Sequence, residues 1–297
     1  MNLDDFIITC FCLIDEMMPM IVKDQRLRAK GPAPKLTDSE VITMEVVGSY
    51  LSLSQDKKLF NYFQQHYPHF FPALRSMHRT TFVRQAANLW AIKERLWCWL
   101  RDELISYDPC LSIVDSVPVP VCRFARAPWC VRFRGDAGYG KDHADRHTFY
   151  GFRLHAQLSW PGVLTRVFLA PANESDGEIA RVLLEGTTGI VLGDRNYWLP
   201  DLQAYLRTKG IVLQAPFRKA HSPKAAAYQS SVLGRVRYLI DTVFGQLTDR
   251  CQMKRVWARD LWHLRTRLLR YFLMHTMCFF FNQHDQAPSL QFDRLVA

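Results

Sequence analysis

The pattern of hydrophobic and polar positions changes near residue 108 and divides the chain into two parts. Before that point, apolar residues recur with the spacing of helices that bury one face, over residues 3–23, 57–67 and 79–104. Beyond Pro109, apolar residues occur in short β-branched or alternating runs, which are typical of strands. We therefore predict an all-helical amino-terminal domain over residues 1–108 and a second, mixed domain over residues 109–297.

Local signals refine the helical part. Thr37 and Glu40 have the spacing of a capping box, which predicts that a helix begins after Thr37. The segment HRTTFVR, residues 78–84, offers Thr80 or Thr81 as a helix cap with basic residues beside it. It fits the start of a recognition helix in a helix-turn-helix, and it fits equally a packing helix with a solvated basic edge.

The second part predicts five strands with helices between them. The apolar runs lie at residues 111–114, 149–158, 163–169, 190–192 and 211–213. Segments with helical spacing lie at residues 176–184, 199–209 and 232–247. This order of strands and helices predicts an α/β fold in which helices flank a mixed sheet.

Composition and charge narrow the function and the compartment. Lys and Arg number 38 against 28 Asp and Glu, a formal net charge of +10, which suits a polyanionic partner but also occurs in ordinary basic enzymes. The eight cysteines include no CxxC pair and no grouping with zinc-site spacing, so a reducing cytoplasm is the predicted location. The first residues lack a basic leader, and the apolar stretch 271–281 is too short to cross a bilayer, so no membrane association is predicted.

Two aspartates follow apolar runs in the second part. Asp115 comes after LSIV, and Asp194 comes after GIVLG. Ligands of open α/β sheets bind beyond the carboxyl ends of strands, so the two acids are placed where a shared site is expected. Either one alone is equally explained as a turn former or a helix cap.

The chemistry of carboxylates without histidine or cysteine partners favours Mg²⁺ or Mn²⁺ over Zn²⁺. Two such ions about 3.5 to 4 Å apart activate an attacking oxygen and stabilise a leaving oxygen in phosphoryl transfer. Asp241, on the last predicted helix of the second part, is a third acid with Arg237 one turn before it. This pair is either an exposed ion pair of little energetic value or a metal-facing acid beside a phosphate-facing arginine.

Five segments, in order along nearly the whole chain, resemble the DDE transposases of bacterial insertion sequences, most closely those of insertion-sequence family 982. They are KLTDSEVITMEVVGSYL in the helical part, VDSVPVPVC at the first acid, YGFRLHAQLSWPGVLTRVFLAPANESD, GDRNY at the second acid, and RVRYLIDTVFGQLTDR at the third. Five ordered motifs are far more specific than any one of them.

The resemblance implies a ribonuclease H-like catalytic domain with a five-stranded sheet, in which Asp115, Asp194 and Asp241 are the catalytic and metal-binding acids. It implies a transposase that cleaves the ends of its element and joins them to target DNA with two Mg²⁺ or Mn²⁺ ions. The implied partners are double-stranded DNA, at terminal inverted repeats and at the target, and further copies of the chain in a dimer or higher oligomer. The candidates for DNA contact are Arg134, Lys141, Arg153, Arg195, Arg235, Arg237 and Lys254.

The third acid departs from the family pattern, in which this position is usually glutamate. Aspartate withdraws the carboxylate by about 1.5 Å, and misplacement of a catalytic group by about 1 Å costs on the order of a hundredfold in rate. Two alternatives therefore stay open beside the transposase: a catalytically impaired, DNA-binding remnant, and a ribonuclease H-like nuclease that cleaves DNA without joining it.

The remaining candidates are a tyrosine, three histidines and the aromatic and basic residues of the carboxy-terminal run. Tyr197 is predicted to pack beneath the loop that follows Asp194. The histidines at 143, 147 and 155 do not have the spacing of a metal site and are assigned ordinary structural roles. In the carboxy-terminal run, the tryptophans at 257 and 262 are predicted to pack on the core, whereas several of the interleaved arginines are predicted to contact DNA.

Overall fold

The computed structural model describes residues 1–23, 27, 33–142, 145–217, 231–255 and 258–296. Contacts between residues divide the chain into two compact units. The helical unit comprises residues 1–105 and 247–297, and the sheet unit comprises residues 106–246. The first boundary lies close to the predicted division at residue 108, but the carboxy-terminal segment packs with the amino-terminal helices.

Helices make up most of the helical unit and flank the strands of the sheet unit. Within the described residues they are α1 (Leu3–Val22), α2 (Asp38–Tyr50), α3 (Asp56–His66), α4 (Arg79–Asn88), α5 (Trp90–Trp99), α6 (Asp176–Leu183), α7 (Pro200–Thr208), α8 (Ser231–Gly245) and α9 (Leu261–His284). None of the described helices is both long and apolar enough to cross a membrane.

The start of α2 confirms the capping box. The Thr37 hydroxyl accepts a hydrogen bond from the Glu40 amide at 3.1 Å, and the Glu40 carboxylate accepts one from the Thr37 amide at 2.6 Å. The cap of α4 differs from the prediction, because His78 and neither threonine occupies that position, with Nδ1 accepting from the Thr80 amide at 3.3 Å. A histidine ring nitrogen replaces the hydroxyl that the sequence pattern suggested.

The single helix predicted over residues 79–104 is interrupted at Leu89, between α4 and α5. The Ala86 carbonyl there accepts hydrogen bonds from Lys93 Nζ at 3.0 Å and from Thr266 Oγ1 at 3.1 Å. Side chains that bond to a helix carbonyl in this way interrupt the backbone ladder and bend the helix. Thr266 lies 180 residues from Ala86 along the chain, so periodicity within the segment did not indicate its contact at the break.

The sheet unit contains one mixed sheet. Its strands, among the described residues, are β1 (Asp108–Pro120), β2 (Gly138–Asp142), β3 (His147–Trp160), β4 (Val163–Pro171), β5 (Gly189–Gly193) and β6 (Ile211–Gln214). The order is β2-β3-β1-β5-β6, and β4 also pairs with β3. The pairs β1–β3, β2–β3 and β3–β4 are antiparallel, whereas β1–β5 and β5–β6 are parallel.

This arrangement confirms the mixed α/β fold with flanking helices, but six strands are present where five were predicted. The additional strand is β2, whose sequence GYGKD lacks an apolar run. Gly151 of β3 pairs with Pro120 of β1 on one side and Gly138 of β2 on the other. Strand β2 therefore forms because β3 offers it an edge, which is a tertiary effect.

Candidate active site

Strands β1 and β5 bring Asp115 and Asp194 together. Their parallel pairing ends at Val114 and Gly193, and each acid is the next residue of its chain segment. The strand-end placement is correct for Asp194 but wrong for Asp115, because β1 continues to Pro120 through its pairing with β3. The parallel pairing with β5, and not the strand itself, ends just before Asp115.

Both acids are held by neighbouring backbone amides. Asp115 Oδ1 accepts a hydrogen bond from the Ser116 amide at 2.7 Å. Asp194 Oδ1 accepts one from the Asn196 amide at 2.8 Å, and so caps the short turn Arg195–Tyr197. The capping role expected of a lone aspartate is thus real for Asp194, and it orients the carboxylate at the end of β5.

Burial and mutual repulsion make this a site that favours a cation. Burial and the neighbouring Asp194 carboxylate raise the pKa of Asp115 to about 7, with Asp241 adding to the increase and Arg237 opposing it. Burial, followed by the charge of Asp176, raises the pKa of Asp194, which the Asn196 amide and Arg237 oppose. Closely spaced carboxylates that resist ionisation are the donor set that a hard divalent cation fits, because it removes the repulsion.

Helix α8 presents a buried and an exposed face at this site. Its residues Val236 and Ile240 are buried, and the helix packs on β1. Arg237 and Asp241 are exposed at 52% and 61%, with Arg237 Nε 3.8 Å from Asp241 Oδ2. This is the surface ion pair that one interpretation predicted, and its energetic value is small. Both side chains nevertheless influence the pKa of Asp115, which Arg237 lowers and Asp241 raises.

Tyr197 is buried in the core of the sheet unit, as the packing interpretation predicted. A Cβ atom at Gly193 would lie 3.0 Å from Tyr197 Cβ, so glycine permits the tight turn that carries the tyrosine under the end of β5. The hydroxyl has no hydrogen-bond partner among the described residues. Burial and the charges of Asp176, Asp115 and Asp194 raise its pKa well above the usual value, so the phenol stays protonated.

Asp176 is a further acid of the site that the sequence analysis missed. It lies in the first turn of α6, where it accepts a hydrogen bond from Ser116 Oγ at 3.3 Å. His155 Nδ1 lies 3.7 Å from the same carboxylate oxygen, and Arg153 Nη1 donates to Ser116 Oγ at 3.4 Å. Asp176 ends the segment ANESD, residues 172–176, but an acid in the first turn of a helix is so common that it gave no functional signal.

His155 has a structural and electrostatic role on β3. It is fully buried and pairs with Ser116 across the β1–β3 ladder. Burial lowers the pKa of His155 to about 4, an effect that Asp176 opposes and Arg153 reinforces. The imidazole is therefore neutral near pH 7 and does not cancel the charge of Asp176.

The predicted DNA contacts fall into separate groups. Arg153 donates to Ser116, the residue after Asp115, and Arg237 lowers the pKa of both Asp115 and Asp194. Four more of the predicted contacts are exposed residues of the sheet unit: Arg134, Lys141, Arg195 and Arg235. Lys254 belongs to the helical unit and is half-buried.

A second group with metal-ligand chemistry lies in the hairpin between β2 and β3. One ligand atom from each of Asp142, Asp145 and His147 lies within 4.8 Å of the others. The spacing of the histidines in this region did not indicate a metal site, yet His147 belongs to a group with the side chains of one. His143 lies outside the described residues. The hairpin brings together side chains whose spacing along the chain matches no familiar motif.

Comparisons with known proteins complete the description of the site. The family described as a transposase DDE domain matches residues 107–261, just over half of the chain. A search of curated proteins found no match. A similar solved structure is the cryo-EM structure of the piggyBac transposase synaptic complex with hairpin DNA, with 11% identity, a TM-score of 0.47, and coverage of 97% of this chain and 78% of that chain.

Proposed function

The chain belongs to the transposase DDE domain family, and on that premise we propose that it is an insertion-sequence transposase that cleaves the ends of its element and joins them to target DNA. The proposed substrates are double-stranded DNA at the terminal repeats and at the target. The proposed active form is a dimer or higher oligomer. The narrower assignment to insertion-sequence family 982 is part of this proposal and rests on the sequence motifs.

The observation that carries the proposal is the position of Asp115 and Asp194 directly after the last paired residues of two adjacent parallel strands. Both carboxyl groups have raised pKa values, because they are buried and lie near other acids. This donor set fits Mg²⁺ or Mn²⁺, and in the proposal Asp115, Asp194 and Asp241 hold two ions. Such ions supply Lewis-acid activation of the attacking and leaving oxygens at phosphorus.

The remaining groups of the site have proposed roles in binding and orientation. Arg237 is 52% exposed and lowers the pKa of both acids, which suits contact with a phosphate of the DNA backbone. Arg153 holds Ser116 and, through it, Asp176. The Asn196 amide orients Asp194, and Tyr197 fills the space beneath the site without supplying charge.

The test uses the full-length protein with labelled DNA from the two flanks of its gene, a target plasmid, and Mg²⁺ or Mn²⁺. The wild type is compared with Asp115→Asn, Asp194→Asn and the matched control Asp201→Asn, an exposed acid at the start of α7. We expect cleaved and joined products from the wild type and the control, and a loss of at least about a hundredfold in both site variants.

Three other outcomes correspond to competing functions. Cleavage without joined products indicates a ribonuclease H-like nuclease. Binding of the flanking DNA without either reaction indicates an impaired remnant, which the exposure and the short side chain of Asp241 favour. Full activity of both site variants contradicts the proposed active site.

A further inference from the structure

A large cavity in the helical unit is bordered by α3, α4 and the start of α9. Its volume is about 810 Å³, and the residues that line it include Lys57, Arg79, Arg84, Arg259 and Trp262. Pockets of about 300 to 1,000 Å³ enclose a whole small molecule. The cavity therefore has room for a sugar and a base as well as a phosphate.

The lining of this cavity carries a large excess of positive charge. Among the described residues that line it, Asp56 is the one acid. Its carboxylate is already paired, with Arg267 Nη2 at 2.6 Å and Arg270 Nη1 at 3.0 Å. The Asp56 carboxylate of α3 therefore pairs with arginines of α9 and does not neutralise the other cations of the cavity.

Several of the lining cations have no such partner. Within the part of the chain that the structure describes, Lys57, Arg79 and Arg84 form no ion pair. Arg259 is 70% exposed, and its Nε lies 3.4 Å from Oδ2 of the neighbouring Asp260. Like charges that converge on one cavity repel each other, so an anion bound there lowers the electrostatic energy. Guanidinium groups are particularly suited to phosphate.

Trp262 adds an aromatic surface to this basic cavity. Its side chain is 40% exposed, and its ring centroid lies 5.2 Å from that of His263. The prediction that this tryptophan packs on the core therefore holds only in part, and Trp257, for which the same was predicted, lies outside the described residues. Indole faces beside basic grooves stack on nucleotide bases. In duplex DNA each base is stacked between its neighbours, so only an unpaired nucleotide offers a free face.

We propose that this cavity binds a single-stranded segment of DNA, with its phosphates on Lys57, Arg79, Arg84 and Arg259 and an unpaired base on Trp262. The inference rests on the proposed function in taking DNA as the partner. It assigns one site to two segments that the sequence left unconnected, the basic stretch at residues 78–84 and the arginine-rich carboxy-terminal run.

The test measures DNA binding by the full-length protein in the presence of a chelator, so that no strand is cut. The probes are a labelled oligodeoxynucleotide and the same sequence as a duplex. The double variant Arg79→Gln with Arg84→Gln is expected to bind the single strand at least about tenfold more weakly. For this variant, the slope of log affinity against log salt concentration should be smaller in magnitude by about 1.4 than for the wild type, because two phosphate contacts are lost.

Trp262 is tested separately, because stacking and charge have different signatures. Trp262→Ala is expected to weaken single-strand binding by about five- to 150-fold, the affinity equivalent of one lost stacked base. Trp262→Phe should retain most of the affinity for the single strand that Trp262→Ala loses. The affinity for the duplex should change little in either variant. Equal losses for single strand and duplex would contradict stacking on an unpaired base.

The matched control removes the same charge outside the cavity, through Arg75→Gln with Arg294→Gln, two exposed arginines of the helical unit. If this control weakens binding as much as the cavity variants do, the effect is one of net charge and the proposed site is wrong. Because no cleavage is measured, the result is independent of the Mg²⁺-dependent test of activity. An inactive protein that still needs these residues to bind DNA would separate the two proposals.

Discussion

At Asp115, a carboxyl group that is ordinarily ionised at neutral pH lies largely out of water beside a second carboxyl group. Its pKa rises to about 7, first because of burial and then because of Asp194. The same two residues in an extended chain would both be ionised. The chemistry of the site therefore depends on where the fold places the acids, and the residue types alone give only the set of oxygen donors.

Asp241 is the residue at which side-chain length should matter most. Its carboxylate is exposed and one methylene shorter than that of glutamate, so Asp241→Glu should extend the reach of the carboxylate by about 1.5 Å. We expect this variant to cleave DNA up to about tenfold faster and Asp241→Asn to cleave about a hundredfold more slowly. Single-turnover cleavage rates at saturating Mg²⁺ check both. A slower Glu variant would mean that this site is built around aspartate.

Asp176 provides a separate prediction about the surroundings of the acids. Loss of its charge in Asp176→Asn should reduce Mg²⁺ affinity or cleavage by about tenfold to a hundredfold, the usual effect of removing a group that orients metal ligands. Glu178→Gln, two residues further along the same helical turn, is the matched control and should have little effect. The measurement is the Mg²⁺ concentration for half-maximal cleavage. Equal effects of both variants would indicate that only the start of α6 was perturbed.

At the scale of elements, the pairing of β1 with β5 positions the candidate site. Gly189 begins β5 with a φ of +80°, and a Cβ atom there would lie 2.3 Å from the Cys110 carbonyl oxygen. The two strands approach so closely at this point that only glycine fits. Four paired positions later, the same ladder ends at the two acids.

Gly189→Ala should therefore destabilise the protein and impair the site together. We expect a loss of about 3 kcal/mol or more, from the strained backbone and from displacement of β1, with slower DNA cleavage. Gly210→Ala is the control, because its φ is +77° but a Cβ atom there would meet nothing within 4 Å. It should lose only about 1 to 2 kcal/mol. Urea unfolding measures both, and equal losses would show that the contact with Cys110 is unimportant.

At the scale of the whole molecule, the helical unit is assembled from two distant parts of the chain. Lys93 of α5 lies 2.6 Å from Glu45 of α2, and both side chains are buried. Lys93 also donates to Thr266 of α9 at 2.6 Å. Burial raises the pKa of Glu45 and lowers that of Lys93, and their contact opposes both shifts. These polar contacts join residues on either side of the sheet unit in sequence.

Removing one partner of this buried pair should be much more harmful than removing both. Lys93→Met leaves the Glu45 carboxylate buried without its closest cation, and we expect a loss of about 3 to 5 kcal/mol. The double variant Glu45→Leu with Lys93→Met should recover much of that loss. Lys58→Met, at an exposed position of α3, is the control and should change stability by less than about 0.5 kcal/mol. If the double variant is less stable than Lys93→Met, the pair is not the source of the loss.

The sequence by itself determined the elements whose signals are local. Helix α2 begins at the predicted capping box, because Thr37 and Glu40 satisfy each other within one turn. The strands with apolar runs were found because alternation of side chains follows from strand geometry. The family motifs also pointed to Asp115 and Asp194, which the strand register brings side by side.

Tertiary structure alone decided the features that depend on residues far apart in the chain. Thr266 bonds to the carbonyl at the break near Leu89, strand β2 pairs with an edge of β3, and Asp176 accepts a hydrogen bond from Ser116. The basic cavity likewise unites α4 with the start of α9. A local sequence pattern does not predict contacts between residues that are distant in the chain. Hydrogen bonds and charges act through space, whereas periodicity indicates only which face of an element is buried.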